Sequence, residues 1–218
     1  MEGVALNILT ICSGQGDWPA HCERWVRYVL KSNPVAVLNL VWIGDTRPLA
    51  SEWAKSFFRI KLFGVENLNR LFLNSVRMEA TELFHVEHML YVDCDCDVYE
   101  NLSFIESGEP ELSCVRSTGP RAAWIQQCVD DGLGVPEKEM NNGLLWMRRS
   151  YKEEYAKAWE AAGKADDRIR GSVAFNIMLR GVSFGELPYS TSVVWSDVEH
   201  LIDAKAVQWC NDRGQAKQ

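Results

Sequence analysis

No run of apolar residues in this chain approaches the about 20 needed to span a bilayer. A basic stripe is also missing: the formal net charge is −7 over 218 residues, and a protein that grips a nucleic-acid backbone needs the opposite balance. The first residues, MEGVALNILTICSG, have neither the basic region nor the cleavage pattern of a signal peptide and read as a first strand. The seven cysteines (Cys12, Cys22, Cys94, Cys96, Cys114, Cys128 and Cys210) are odd in number and scattered, with no second Cys or His pair at zinc spacing. That pattern predicts buried, reduced thiols in a cytosol-like compartment, so the expected location is cytoplasmic. Internal repeats and low-complexity segments are absent. What is there is ordinary for a globular protein, 47% apolar and 24% charged residues, at a length that suits one large domain.

The most informative stretch is MLYVDCDCDVYENL, residues 89–102. Met89 to Val92 form a short buried strand that runs straight into Asp93, Asp95 and Asp97. Carboxylates two residues apart at a strand tip are hard oxygen ligands of the kind Mg²⁺ or Mn²⁺ prefers, usually with substrate phosphates completing the shell. Strand tips are also where open α/β sheets bind ligands. Three carboxylates this close repel one another, so a cation belongs among them.

Around this stretch the pattern alternates. Residues 4–12 read as a strand, 13–17 as a turn, 20–32 as a helix, and 35–43 as a second buried strand. A second helix is expected at about 49–58, carrying Trp53, Phe57 and Phe58. A short strand at 59–63 and a long helix over 66–86 follow, the latter from apolar residues at helical spacing. Strands alternating with helices predict an α/β fold with a doubly wound, mainly parallel sheet. Beyond it, 112–117 and 140–149 read as strands, separated by a loop over the site (118–139). Helices are expected at 150–163 and 172–180, and a polar tail from Asn211. The tip of the first strand, Thr10, Ile11, Cys12, Ser13 and Gly14, is expected to hold a base and ribose by its position. SGQG is not a Walker loop, since no G-K-[ST] follows.

YVDCDCDVYENL resembles the "Y-L-D-x-D-x-x-V-x-x-N-I/L" signature of GT-A glycosyltransferases, particularly the family 8 type of glycogenin and bacterial galactosyltransferases. In that family the two aspartates hold Mn²⁺ against the diphosphate of a nucleotide sugar; Asp93 and Asp95 match them, with Cys94 between as a donor contact. Asp97 falls where the family has an apolar residue. Arg77, on the helix before the metal strand, matches an Arg that contacts the donor. MNNGLLWMRRS (140–150) resembles "F-N-A-G-V-x-x-x", placing Asn141 and Gly143 on matching positions. HLIDAKAVQW (200–209) is similar to "H-x-x-G-x-x-K-P-W", which implies His200 as a third metal ligand and Lys205 as a diphosphate contact. One departure stands out. The family has Asp-Gln ahead of "x-x-x-N", near the reacting face of the sugar. Counting back from Asn176, this chain has Gly171 and Ser172 there.

The resemblance implies a GT-A fold, a mixed and mostly parallel sheet flanked by helices, in a single catalytic domain over 1–210. Residues 1–102 would form the nucleotide-binding half and 103–210 the acceptor half. It implies a metal-dependent glycosyltransferase, with Mn²⁺ or Mg²⁺, a UDP-sugar donor and a glycan or glycoprotein acceptor, retaining anomeric configuration. Inversion would need a carboxylate base, with Asp166, Asp167 and Asp197 as candidates. The short length is similar to compact domains from large DNA viruses, which would place the enzyme in a host cytoplasm, and from bacterial glycan clusters. Acceptor-binding extensions would then be absent or supplied by another domain, for instance one C-terminal in a longer native chain. Two rivals stand beside it: an inactive nucleotide-sugar-binding or scaffold module, motivated by the missing Asp-Gln, and a haloacid-dehalogenase-type phosphatase, since Asp95-Cys96-Asp97-Val98 fits D-x-D-x-[TV]. Trp124, Trp146, Trp195 and Trp209 are candidates for stacking on sugar faces.

Overall fold

The computed structural model describes residues 5–106, 110–116, 132, 139–165, 169–194 and 203–208. The first strand, β1 (Asn7–Ser13), is buried along nearly its whole length, and α1 (Trp18–Ser32) returns the chain to β2 (Val37–Ile43). Strand β3 (Phe57–Phe63) follows, then α2 (Arg70–Met78), the single-turn α3 (Ala80–Phe84) and β4 (Met89–Val92). β1 pairs with β2 and β2 with β3, all parallel, after which the chain crosses back and β4 joins β1 on its other side, again parallel. The direction of winding therefore reverses between β1 and β4, which opens a crevice at their C-terminal tips.

The second half completes the sheet. Strands β6 (Leu112–Arg116) and β7 (Met140–Met147) are antiparallel to each other, and β7 is antiparallel to β4. β8 (Gly185–Leu187) adds parallel to β6, giving the order β3-β2-β1-β4-β7-β6-β8. A small second sheet, β5-β10-β9, is made of β5 (Cys96–Val98), β9 (Val193–Val194) and β10 (Ala206–Gln208). Helices α4 (Lys152–Ala161) and α5 (Arg170–Leu179) pack on the main sheet beside α2. The alternation predicts the parallel half of this sheet, and the mixed, mostly parallel whole is the one the resemblance implies.

Side-chain alternation builds two cores, one per face. Leu9, Ile11, Met89 and Tyr91 pack under α2, α4 and α5 with Val76, Tyr155 and Phe175. Ile8, Cys12, Leu90 and Val92 pack under α1 with Cys22, Trp25 and Val29. The thiols of Cys12, Cys22, Cys94, Cys96 and Cys114 are free and buried, as expected; Cys128 and Cys210 lie outside the described residues.

Two elements depart from the periodicity. Residues 49–58 do not form an α-helix: two short 3₁₀ turns, Arg47–Ala50 and Glu52–Ser56, lead directly into β3. Phe57 is already sheet, paired with Leu38 and stacked on Trp25 with ring centroids 6.1 Å apart. Tertiary aromatic packing overrides the i, i+4 spacing of Trp53 and Phe57. The helix expected over 66–86 is broken at Glu79. There the Met78 carbonyl accepts from Tyr151 N–H at 2.8 Å, so the chain entering α4 uses a group that a continuous helix would need. The N-cap of α2 is Asn69, whose side chain accepts from Phe72 N–H at 2.9 Å. The 118–139 loop and the tail from Asn211 lie outside the described residues, apart from Gly132 and Glu139. No described helix is long and apolar enough to cross a membrane.

The β1 tip is held by backbone. Gly14 N–H donates to Ile43 O at 2.8 Å, and a Cβ on Gly14 would lie 2.1 Å from the Asp45 carbonyl oxygen. Both atoms are main chain, so a side chain cannot be absorbed by a rotamer change. Gly14→Ala is expected to cost about 1–3 kcal/mol, the usual penalty of overpacking, read as a lower urea midpoint with unchanged m-value.

Candidate active site at the tips of β1 and β4

The crevice between β1 and β4 holds a cavity of about 240 Å³, lined by Ile11, Cys12, Ser13, Trp18, Leu68, Leu73, Arg77, Tyr91, Asp93, Cys94 and Asp95. Seven of the residues expected to bind donor or metal share this lining. Thr10 is fully enclosed in the sheet, and Gly14 sits against Asp45 rather than in the cavity. The lining combines apolar side chains (Trp18, Leu68 and Leu73) with the carboxylates of Asp93 and Asp95. Trp18 keeps 38% of its surface exposed at the mouth. Trp146, by contrast, is buried and stacked on His88 at 4.9 Å, a core residue rather than a sugar platform. Trp124, Trp195 and Trp209 lie outside the described residues.

Asp93 is the most tightly held side chain of the site. Its Oδ1 accepts from Arg77 Nη2 at 3.1 Å and from the Tyr91 hydroxyl, and its Oδ2 accepts from Gln208 Nε2 at 3.0 Å. Arg77 also donates to Asn142 O at 2.7 Å and to the Tyr91 hydroxyl at 3.0 Å, with its guanidinium 4.3 Å from the Tyr91 ring centroid. Burial alone would lower the Arg77 pKa, but Tyr91 and Asp93 outweigh it, so the guanidinium is held above its ordinary value. Burial drives the Tyr91 phenol well above its usual range; Arg77 opposes the shift and Asp93 reinforces it, leaving Tyr91 a firm O–H donor. The carboxylate thus meets the cation that its setting calls for.

Asn141 and Gly143 approach Asp93 from β7. Asn141 Oδ1 accepts from Gly143 N–H at 2.7 Å, its Nδ2 donates to Gln208 Oε1 at 3.2 Å, and Gly143 O accepts from Asp93 N–H at 2.8 Å. A Cβ on Gly143 would stand 2.8 Å from Asp93 Oδ2 and 3.0 Å from Gln208 Oε1. Only glycine permits this close approach. Asn176 reaches the start of β7 from α5, accepting from Met140 N–H at 2.8 Å and donating to Met140 O at 3.1 Å. At Gly171 a Cβ would lie 2.9 Å from Asn74 Nδ2, so the space beside residue 171 is filled by the Asn74 carboxamide.

Asp95 is 5% exposed and lines the cavity; Asp97, in β5, is 4% exposed and does not. Asp97 instead faces α1, where its Oδ1 lies 3.0 Å from Arg24 Nε. The Asp95–Asp97 pair that a phosphatase would need is therefore not gathered on one pocket. Lys205 is also turned aside: its ammonium pairs with Glu100 and lies 5.4 Å from the centroid of the Phe104 ring. Gln208 and Tyr91, which hold Asp93, are site residues to which the sequence motifs gave no role, although each lies inside a quoted motif, Tyr91 in YVDCDCDVYENL and Gln208 in HLIDAKAVQW.

The donor set suits a hard divalent ion. Two carboxylates stand at a strand tip, and glycine at 143 keeps a Cβ away from Asp93 Oδ2. Among the described residues no three His, Cys, Asp or Glu side chains converge as a metal-holding group. His200 lies outside the described residues.

No protein-family model matches the sequence, and no curated protein matches it. Solved structures do match, at low identity. A galactosyltransferase, LgtC, in complex with donor and acceptor sugar analogues aligns over 94% of this chain and 87% of its own, with TM-score 0.69 and 13% identity. An active-site mutant of the same enzyme aligns equally well, with TM-score 0.69 and 12% identity. Mouse xyloside xylosyltransferase 1 in its apo form aligns over 94% of this chain and 98% of its own, with TM-score 0.64 and 11% identity. The fold is the GT-A fold of these structures.

Arg77 and Asp93 are mostly buried partners, with side chains 11% and 20% exposed. Removing only the cation strands a carboxylate, so Arg77→Leu is expected to cost about 3–5 kcal/mol. Tyr91→Phe, which removes one neutral donor, should cost about 1–2 kcal/mol. Adding Asp93→Asn to Arg77→Leu should recover part of the loss. Urea denaturation of the double-mutant cycle measures the coupling.

Proposed function

We propose that this GT-A chain is a metal-dependent glycosyltransferase that moves a sugar from a nucleotide diphosphate, a UDP-sugar, to a hydroxyl of a glycan or glycoprotein. One observation carries the proposal: Asp93, Asp95 and Arg77 share one cavity with the tip of β1 at the switch point of the sheet. A nucleoside diphosphate needs an apolar slot for a flat base, donors for a ribose and concentrated charge for phosphates. The cavity lining includes all three kinds of group: Trp18, Leu68 and Leu73 are apolar, Ser13 is a hydroxyl, and Arg77 with Asp93 and Asp95 is charged.

Asp93 and Asp95 would hold Mn²⁺ or Mg²⁺, with His200 as the third ligand that the resemblance supplies. When bound, such an ion acts as a Lewis acid on the leaving diphosphate. Arg77 adds fixed positive charge that needs no reorganisation, because Asn142 O, Tyr91 and Asp93 already hold it in place. Lys205, paired with Glu100 at a part-exposed position, would be the second cation for the diphosphate that the resemblance supplies. Asn141, fixed by Gly143 and Gln208, would orient the transferred sugar. We further propose retention of anomeric configuration.

The direct test is release of nucleoside diphosphate from a panel of nucleotide sugars in Mn²⁺. Release from one UDP-sugar, abolished by EDTA and reduced at least about 100-fold in Asp95→Asn by loss of a metal-holding carboxylate, is the expected outcome. Tight UDP binding with no release from any donor and no transfer to any acceptor would favour the binding-module reading. For stereochemistry, the anomeric proton of the product read by NMR should match the donor's configuration; the opposite configuration rejects retention.

A further inference from the structure

Asp93, Gly143, Asn141 and Gln208 close a hydrogen-bonded ring. Asp93 N–H donates to Gly143 O at 2.8 Å, and Gly143 N–H donates to Asn141 Oδ1 at 2.7 Å. Asn141 Nδ2 donates to Gln208 Oε1 at 3.2 Å, and Gln208 Nε2 returns to Asp93 Oδ2 at 3.0 Å. Each residue donates once and accepts once, so the ring has a single sense. That sense fixes the Gln208 carboxamide with its nitrogen on Asp93 and its oxygen on Asn141. The residue comes from β10, in the small sheet, and reaches a strand tip 115 positions earlier in the chain.

We infer that Gln208 is a positioning residue for Asp93, setting how that carboxylate presents Oδ2 to a divalent cation. The inference rests on the proposed metal role of Asp93. Arg77 and Tyr91 hold Oδ1, so Oδ2 is the oxygen whose lone pairs are divided between Gln208 and a metal. A neutral amide suits that task. It orients the ligand by donating one hydrogen bond, and it leaves the charge of the site unchanged. Glutamate at this position cannot donate to Asp93. It would set two carboxylates against each other, a repulsion that a divalent cation relieves. Leucine, close in size, keeps the packing of β10 and breaks the ring at both ends.

The experiment compares wild type, Gln208→Leu and Gln208→Glu in two measurements. Mn²⁺ affinity is taken by electron paramagnetic resonance in saturating UDP. Thermal unfolding is followed in EDTA and in Mn²⁺ with UDP. Gln208→Leu is expected to weaken Mn²⁺ about 10–100-fold, the usual effect of losing a hydrogen bond that orients a metal ligand. Gln208→Glu is expected to melt lower than wild type in EDTA and to gain more from Mn²⁺ with UDP than wild type gains. Unchanged Mn²⁺ affinity in Gln208→Leu, with an equal metal-induced rise in all three proteins, would overturn the inference and leave the metal site standing. Absence of Mn²⁺ binding in wild type would overturn both. Should Gln208→Leu fail to fold, the melting comparison of Gln208→Glu with wild type decides alone.

Discussion

The site depends on keeping one carboxylate charged at the end of a buried strand. Met89 to Val92 are all buried, and the strand delivers its next residue to the cavity with only 20% of its side chain exposed. An ionised carboxylate there needs compensation. Asp93 has it from Arg77, the Tyr91 hydroxyl and Gln208. Those three residues come from α2, from β4 itself and from β10, so the charge of Asp93 ties a helix on one side of the sheet and the small second sheet to the same point. Met78, one residue after Arg77, marks the end of α2, where the entry to α4 bonds to its carbonyl. Arg77 is thereby held close to a fixed break in the backbone rather than in the middle of a helix able to slide.

Glycine carries the complementary constraint. Gly143 gives up a side chain so that Asp93 Oδ2, Gln208 Oε1 and Asn141 Oδ1 can crowd one spot, and Gly14 gives one up so that the β1 tip can lie against the Asp45 backbone. A strand tip serves as a ligand site only if its neighbours come close without filling it. The two glycines meet that need at two strand ends, Gly143 beside Asp93 and Gly14 at the end of β1.

Much of this was legible in the sequence. Strands β1, β2 and β4 are apolar runs ended by turn residues, and D-x-D after such a run marks where the cavity lies. Arg77 and Asn141-Asn142-Gly143 followed from the resemblance, and both reach Asp93. What escaped depends on contacts between distant segments. Phe57 looked helical from its spacing to Trp53, but Trp25 and Leu38, both supplied by other elements, draw it into β3. The resemblance makes Lys205 a phosphate contact; in the structure its ammonium pairs with Glu100, placed nearby by the pairing of β5 with β10. Gln208 lies within HLIDAKAVQW but has no role there, because only the register that pairs it with Cys96 brings it to the site.

The same register explains why Asp97 does not line the cavity although it belongs to the run of aspartates. The turn after Asp93, closed by Cys96 N–H donating to Asp93 O at 3.0 Å, ends the extended backbone before the third aspartate. Asp97 emerges in β5, paired with Val207 across the small sheet and facing Arg24 of α1. Equal spacing in sequence therefore becomes two environments. Asp93 and Asp95 belong to the cavity, and Asp97 belongs to the contact that seats α1 on the small sheet. Because β10 pairs with β5 through Asp97 and reaches Asp93 through Gln208, the residue that left the acidic run helps deliver the amide that organises it.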